Sequence, residues 1–329
     1  MQSQKQKIME NKKKKEVIFL QEKTFGEIIG APFYFIIQEF KMFAGVLIKY
    51  AAPFVAISFL AVSLLAENVY SASINNSEPS GLMILYISVF ALSVSLGLLS
   101  VTVVTHSYIT LYVKKGKGNF SKEDVGELLK KNVWKVLITG LISYLLIFVG
   151  ILLFYIPGIY FSVVLSFVFI ISVYENQPVG KTISRSFEVV KGRWWQTFGL
   201  VIVFGFIVGA MSYVFIIPIY IVFIFAAFGG SQIGTGSVIL ITLFVFLYFT
   251  AYLFFMSMQQ IMIAFQYFNV LTGKEGLHLK SRIAAITEND EPEEQPEMIT
   301  EKKEKEEKSE QEKNRFTDDD DINRFKPKY

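Results

Sequence analysis

The sequence predicts an all-α integral membrane protein: about six transmembrane helices arranged as three hairpins, cytosolic amphipathic helices ahead of the hairpins, and a disordered C-terminal tail. Three observations carry this reading. Val136 to Tyr174 is a run of 39 residues without a charged side chain, and Trp194 to Gly273 is a second, longer one. At ~1.5 Å per residue, either run is too long for a single crossing of a ~30 Å hydrocarbon core, so each must fold back on itself. The third observation is charge segregation. Residues 288–329 hold sixteen acidic and nine basic side chains, so the remainder carries +10 of the formal net +3.

The chain has 329 residues, 52% hydrophobic and 16% aromatic, and its apolar residues are too segregated for a soluble domain. With no cysteine, disulfides and thiolate metal sites are excluded and the redox compartment cannot be inferred. The polar, lysine-rich first forty or so residues lack the layout of a cleaved signal peptide, so targeting is expected from the first span.

In chain order, residues 1–23 read as a basic disordered arm, densest at Lys12 to Lys15, with contact to anionic lipid heads as the functional alternative. An interfacial helix is expected over 24–40, from the stripe Phe25, Ile28, Ile29, Phe33, Ile36 and Ile37, with Pro32 able to interrupt it. The first span is expected over 42–66, where Lys49 can reach back to the near interface. The second, over 82–105, is rich in small residues that let helices approach closely. Between them lies an outside loop, 67–81.

The stretch from His106 to Lys135 inclusive contains seven lysines, and Ser121-Lys122-Glu123-Asp124 resembles a capping box opening an interfacial helix over 121–132. The third span, 136–155, contains fourteen Val, Leu, Ile or Phe residues. At about −0.3 to −0.6 kcal/mol each they favour insertion by roughly 6 kcal/mol. Pro157 and Gly158 mark the reversal into the fourth span, 158–174, because proline has no N–H to donate and glycine tolerates the turn.

After Glu175, Asn176-Gln177-Pro178 is helix-start chemistry, and an interfacial helix is expected over 178–191. Its apolar positions, Val179, Ile183, Phe187 and Val190, alternate with Lys181, Arg185 and Glu188, and Gly192 supplies a stop. Trp194 and Trp195 are interface-seeking indoles at the entry to the fifth span. A glycine-rich stretch, 229–236, divides spans expected over 196–227 and 238–268, and Gly205-x-x-x-Gly209 allows a close helix contact inside the molecule or between copies. Shifting residues 121–160 by 61 positions aligns Trp134 with Trp195 and Ile156-Pro157 with Ile217-Pro218, an internal repeat resting on landmark positions. Residues 24–285 thus form a membrane domain, and 286–329 a charged tail. Asn-Arg-Phe occurs twice in that tail, at 314–316 and 323–325; a docking motif for a protein partner is the alternative to a solvated acidic run.

The stretch from Ile156-Pro157-Gly158-Ile159-Tyr160 through Glu175 to Ser184, followed by Lys191-Gly192-Arg193-Trp194-Trp195, resembles the bacterial membrane-protein families grouped around the membrane domain of glycerophosphoryl diester phosphodiesterase. The resemblance covers roughly residues 24 to 285. It implies a unit of six or more membrane helices; the catalytic barrel is not expected in this sequence, since a (β/α)₈ domain needs about 200 residues or more of alternating elements. Similar chains are sometimes called carotenoid oxygenases, but a non-haem iron site needs clustered imidazoles and carboxylates, and the only histidines are His106 and His278.

No residue pattern points to catalysis, a metal, a cofactor or nucleic acid. Glu175 can pair with Lys181 or Arg185, or bind a cation at the cytosolic mouth; Gln259 and Gln260, with Tyr248, Thr250 and Tyr252, can bond between helices or line a polar pocket. The outside segments 67–81, 156–158 and 227–236 contain no lysine or arginine, which predicts a multi-pass protein of the bacterial inner membrane with both termini cytosolic. The function expected is a non-enzymatic scaffold or lipid-environment protein in contact with the bilayer, and with anionic lipid through the lysine-rich loops. The alternative is a carrier or exporter of a small or amphiphilic solute.

Overall fold

The first helix, α1, runs unbroken from Phe25 to Ile74, about 75 Å at 1.5 Å per residue and more than twice the hydrocarbon thickness. It opens on a reciprocal cap: Thr24 N donates to Glu27 Oε2 at 2.7 Å, and Glu27 N donates to Thr24 Oγ1 at 3.4 Å. The expected interfacial helix 24–40 and span 42–66 are therefore one rod, since the residues joining them include no breaker. Pro32 and Pro53 are both accommodated inside it.

The computed structural model describes residues 17–78, 80–228 and 234–276. The first sixteen residues, His278 and the tail 286–329 with its Asn-Arg-Phe repeat lie outside the described residues. After α1 come α2 (Leu82–Lys115), α3 (Lys122–Leu153), α4 (Tyr155–Val164), a 3₁₀ turn (Leu165–Phe167), α5 (Val168–Tyr174), α6 (Val179–Val190), α7 (Trp194–Phe228) and α8 (Thr235–Glu275). Six of these segments are long and apolar enough to cross a membrane, α4 to α5 counting as one. They form three hairpins. The first is α1 with α2, the second α3 with α4–α5, and the third α7 with α8; α8 packs back on α1, and α2 packs on α3 and α5.

Hydroxyls join the two arms of the first hairpin, and a glycine brings that hairpin against the third. Ser58 Oγ and Ser93 Oγ lie 2.7 Å apart, and Ser100 Oγ donates to Tyr50 O at 2.9 Å. A Cβ on Gly97 would sit 3.5 Å from Phe54 Cβ and 3.6 Å from Leu253 Cδ1, so α1, α2 and α8 meet there at backbone range.

The second hairpin turns earlier than its sequence signals. Phe154 is extended (φ −157°, ψ 135°), and Pro157 and Gly158 already lie in the first turn of α4. Proline costs nothing there, because the first N–H groups of a helix have no intrahelical partner. Gly158 serves contact rather than turning: a Cβ on it would collide with Ile151, whose N would be 2.8 Å away, and one on Gly150 would lie 3.1 Å from Gly158 Cα.

Burial is concentrated at the lysine-rich end. Phe19, Phe35, Phe43, Tyr108, Phe265 and Phe268 are all buried there. Phe19 stacks on Phe265 with ring centroids 4.0 Å apart and planes 3° from parallel, and meets Phe35, Tyr112 and Phe268 edge-on. This corrects the expectation of a disordered arm as far as residue 23. The apolar run Val17 to Leu20 anchors the chain through Phe19, and Lys23 N donates to Asn269 Oδ1 at 2.8 Å. Toward the opposite end, Ile84, Leu92, Leu152, Phe154 and Phe206 are exposed, as lipid-facing side chains of spans are. Gly205 and Gly209 have nothing within 4 Å of where a Cβ would stand, so the expected close contact is not made within the described chain.

Candidate functional site

At the lysine-rich end two carboxylates, Glu39 and Glu175, each meet partners that are distant in sequence. Glu39, on α1, is 6% exposed. It accepts a hydrogen bond from Tyr108 Oη of α2 at 2.7 Å and pairs with Lys117 Nζ at 3.2 Å. Gln38 extends the group: its Nε2 donates to Tyr112 Oη at 2.9 Å, and Tyr112 Oη donates to Val17 O at 3.2 Å. The network thus ties the anchored arm to the first hairpin. Lys23, half-buried nearby, is held below the ordinary lysine pKa by desolvation, with the Glu27 carboxylate opposing.

Glu175, just past α5, has the same kind of partners. Tyr267 Oη of α8 donates to its Oε1 at 2.6 Å, and Arg185 Nε of α6 lies 3.2 Å from the same oxygen. Arg185 Nη1 also reaches Glu188 Oε2 at 3.3 Å. Lys274 of α8 caps the end of α6 by donating to Glu188 O and Val189 O, each at 2.9 Å. Lys114 Nζ donates to Tyr174 O at 2.9 Å and lies 4.9 Å from the Tyr174 ring centroid. Of the two sequence readings of Glu175, ion pairing with Arg185 is the one found, and Lys181 is exposed.

A third polar group lies between the two carboxylates in the chain. His106 is fully buried, stacks on Phe169 at 6.3 Å, and faces Gln260. Neither ring nitrogen, nor Gln260 Oε1, nor the hydroxyls of Thr105, Ser107 and Thr110, has a hydrogen-bond partner among the described residues. Gln260 is thus buried against a histidine at the end of the second span, and Gln259 is half-buried. Thr250 Oγ1 donates to Phe246 O of its own helix at 2.9 Å, and Tyr248 stacks on Tyr252.

The remaining candidates divide between packing and the membrane boundary. Helix α6 buries Thr182, Ser186, Val189 and Val190, while Val179, Ile183 and Phe187 are only half-buried. The buried face is rotated toward the small hydroxyl side chains, which permit closer approach than the branched stripe read from sequence. Phe187 meets Phe161 edge-on at 6.2 Å and Tyr160 at 6.5 Å. Trp194 stacks on Phe198 at 5.0 Å and on Tyr160 at 5.9 Å. Trp195 is 77% exposed, and Trp134, its counterpart in the 61-residue shift, is 72% exposed. The proline landmarks of that shift diverge: Pro157 opens a helix after a reversal, whereas Pro218 lies inside the continuous α7.

Sequence reasoning missed Glu39, Tyr108, Lys117 and Tyr267. One signal was available for Glu39, which lies four residues from both Phe35 and Phe43 and so puts a carboxylate on the buried stripe of its helix. Chemically, both carboxylates are engaged by a phenol and a cation, which suits bracing. Among the described residues no three histidines, aspartates or glutamates cluster as a metal site.

Residues 136–316, more than half of the chain, match the family model of the membrane domain of glycerophosphoryl diester phosphodiesterase. The matched region begins within α3 and so starts later than the resemblance read from about residue 24. No curated protein and no solved structure matches the chain.

Proposed function

Because the chain belongs to the family of the membrane domain of glycerophosphoryl diester phosphodiesterase, we propose that it is a non-enzymatic polytopic protein of the inner membrane that organises lipid at its cytosolic face. One observation carries the reading. On α3, exposed Lys130 and Lys131 precede exposed Trp134, and at the start of α7 exposed Arg193 precedes exposed Trp195. A cation followed by an indole, then an apolar helix, is the register of a headgroup contact. Glu39 and Glu175 are each held by a tyrosine and a cation. Carboxylates braced in this way suit a rigid platform better than a solute path. The absence of Lys and Arg from 67–81 and 229–234 supports cytosolic termini.

The test is reconstitution of the full chain in vesicles containing trace spin-labelled phosphatidylglycerol or phosphatidylcholine. The anionic lipid is expected to show the larger motionally restricted fraction, and Lys130→Glu with Lys131→Glu to remove the excess. The vesicles should pass neither an amphiphilic dye nor a fluorescent phospholipid between leaflets. Saturable movement of either would replace this reading with that of a carrier.

A further inference from the structure

We propose that the cleft between α1 and α8 holds the acyl chain of one anionic phospholipid, with its phosphate at Lys49; the inference deepens the lipid-organising function proposed above and rests on it. The cleft has a volume of about 500 Å³. Ala51, Val101 and Leu253 form its buried floor, and Ala52 and Ala56 leave the width that larger side chains would fill. Phe59 and Phe246, whose ring centroids are 4.8 Å apart, close its outer end.

Three features identify the occupant. The first is depth: α1 carries no charge from Tyr50 to Ala66, and α8 none from Thr235 to Gly273, so both walls belong to the hydrocarbon layer. The second is length. From Ile48 to Phe59 the helix rises about 17 Å, close to the ~15 Å that one leaflet contributes to a ~30 Å hydrocarbon core. The third is charge. Lys49 is exposed next to Ile48 at the lysine-rich mouth and makes no ion pair among the described residues; its Nζ lies 5.4 Å from the Tyr50 ring centroid. Helical side chains lean toward the helix N-terminus, which takes this ammonium away from the cleft and toward the headgroups.

The lining also excludes a polar solute. Thr250 brings a hydroxyl to the wall, and that hydroxyl donates to Phe246 O. An alkyl chain needs nothing from the wall except contact, whereas a polar ligand would lose its hydration without replacement.

The experiment is native mass spectrometry of the detergent-solubilised full chain, titrated with phosphatidylglycerol or phosphatidylcholine. A phosphatidylglycerol carrying a diazirine on its acyl chain supplies the map. The wild type is expected to retain one phosphatidylglycerol in preference to phosphatidylcholine, with photolabel on the α1 and α8 peptides that contain Ala56 and Phe246. Ala52→Trp should reduce retention at least tenfold, and Lys49→Gln should abolish the preference for the anionic lipid while leaving the photolabel in place. Ala56→Phe is a second cleft-filling variant, used if the melting temperature of Ala52→Trp differs from that of the wild type. Unchanged retention in the filled variants, equal binding of the two lipids to the wild type, photolabel on other helices, or a second protein copy in place of the lipid would overturn the proposal. Because retention is read without flux, a lipid in the cleft together with saturable transport would sink the platform function alone. No lipid and no transport would sink the cleft alone.

Discussion

Replacing Phe19 with alanine tests whether the chain before α1 is part of the folded unit. Phe19 is 3% exposed, stacked on Phe265 at 4.0 Å and flanked edge-on by Phe35, Tyr112 and Phe268 at 5.5, 5.8 and 5.6 Å. Truncating a buried phenylalanine typically costs about 3–5 kcal/mol, since the transfer loss is joined by a cavity that neighbours fill only in part. Four ring contacts bind this side chain to three elements, so collapse around the gap is limited. With roughly 2–4 °C per kcal/mol for a unit of this size, the melting temperature in detergent should fall by about 10 °C. Ile18→Ala is the internal control. Its side chain is 51% exposed, and the change should stay within about 0.5 kcal/mol. Deleting residues 1–16 leaves every contact of Phe19 in place, whereas deleting residues 1–23 removes them all. Equal melting of wild type and Phe19→Ala, or of the two deletions, would refute the anchored segment and restore a disordered arm through residue 23.

Tyr108→Phe withdraws the donor to buried Glu39 and should cost about 1.5–3 kcal/mol, read as a lower melting temperature. Adding Glu39→Leu should cost less than the sum of the two single changes, because the phenol and carboxylate act as one group. Gly158→Val should destabilise the second hairpin by about 1–3 kcal/mol through collision with Ile151, whereas Gly205→Ala, in open space, should be neutral or gain up to about 1 kcal/mol of helix propensity. For topology, single cysteines are introduced by Ser231→Cys and Ser309→Cys in a chain that has none. In intact cells an impermeant thiol reagent should label the first and spare the second; the reverse pattern would invert the proposed orientation.

Much of the fold was legible because hydrocarbon imposes a simple rule on sequence: long uncharged runs must be helical and must be divided at membrane thickness. Six spans in three hairpins followed from that, and the four-residue pattern at Ser121 separately marked a capping box, where Ser121 N donates to Asp124 Oδ2 at 2.7 Å. Gly192, with φ +81°, also stands where a helix stop was expected. Boundaries were harder to read. The joint between residues 40 and 42 carries a change in polarity but no change in backbone preference, so two expected elements are one helix. Pro157-Gly158 has the composition of a turn, yet proline suits a first helical turn equally well and the glycine is required by Ile151 across the hairpin.

By itself, the sequence determined the class of solvent around each segment: which stretches lie in hydrocarbon, which in water, and which end of the bundle carries the cations. Those properties add up residue by residue, so hydropathy and charge suffice. Only the tertiary structure decided which side chains meet. Glu39 finds Tyr108 and Lys117, Glu175 finds Tyr267 and Arg185, and Phe19 finds Phe265, across separations of 69, 92 and 246 residues for Tyr108, Tyr267 and the neighbouring Lys23–Asn269 bond. Nothing local encodes such partners. They depend on how helices longer than the bilayer lean together once they leave it, where packing and paired charges replace lipid as the surroundings of each face.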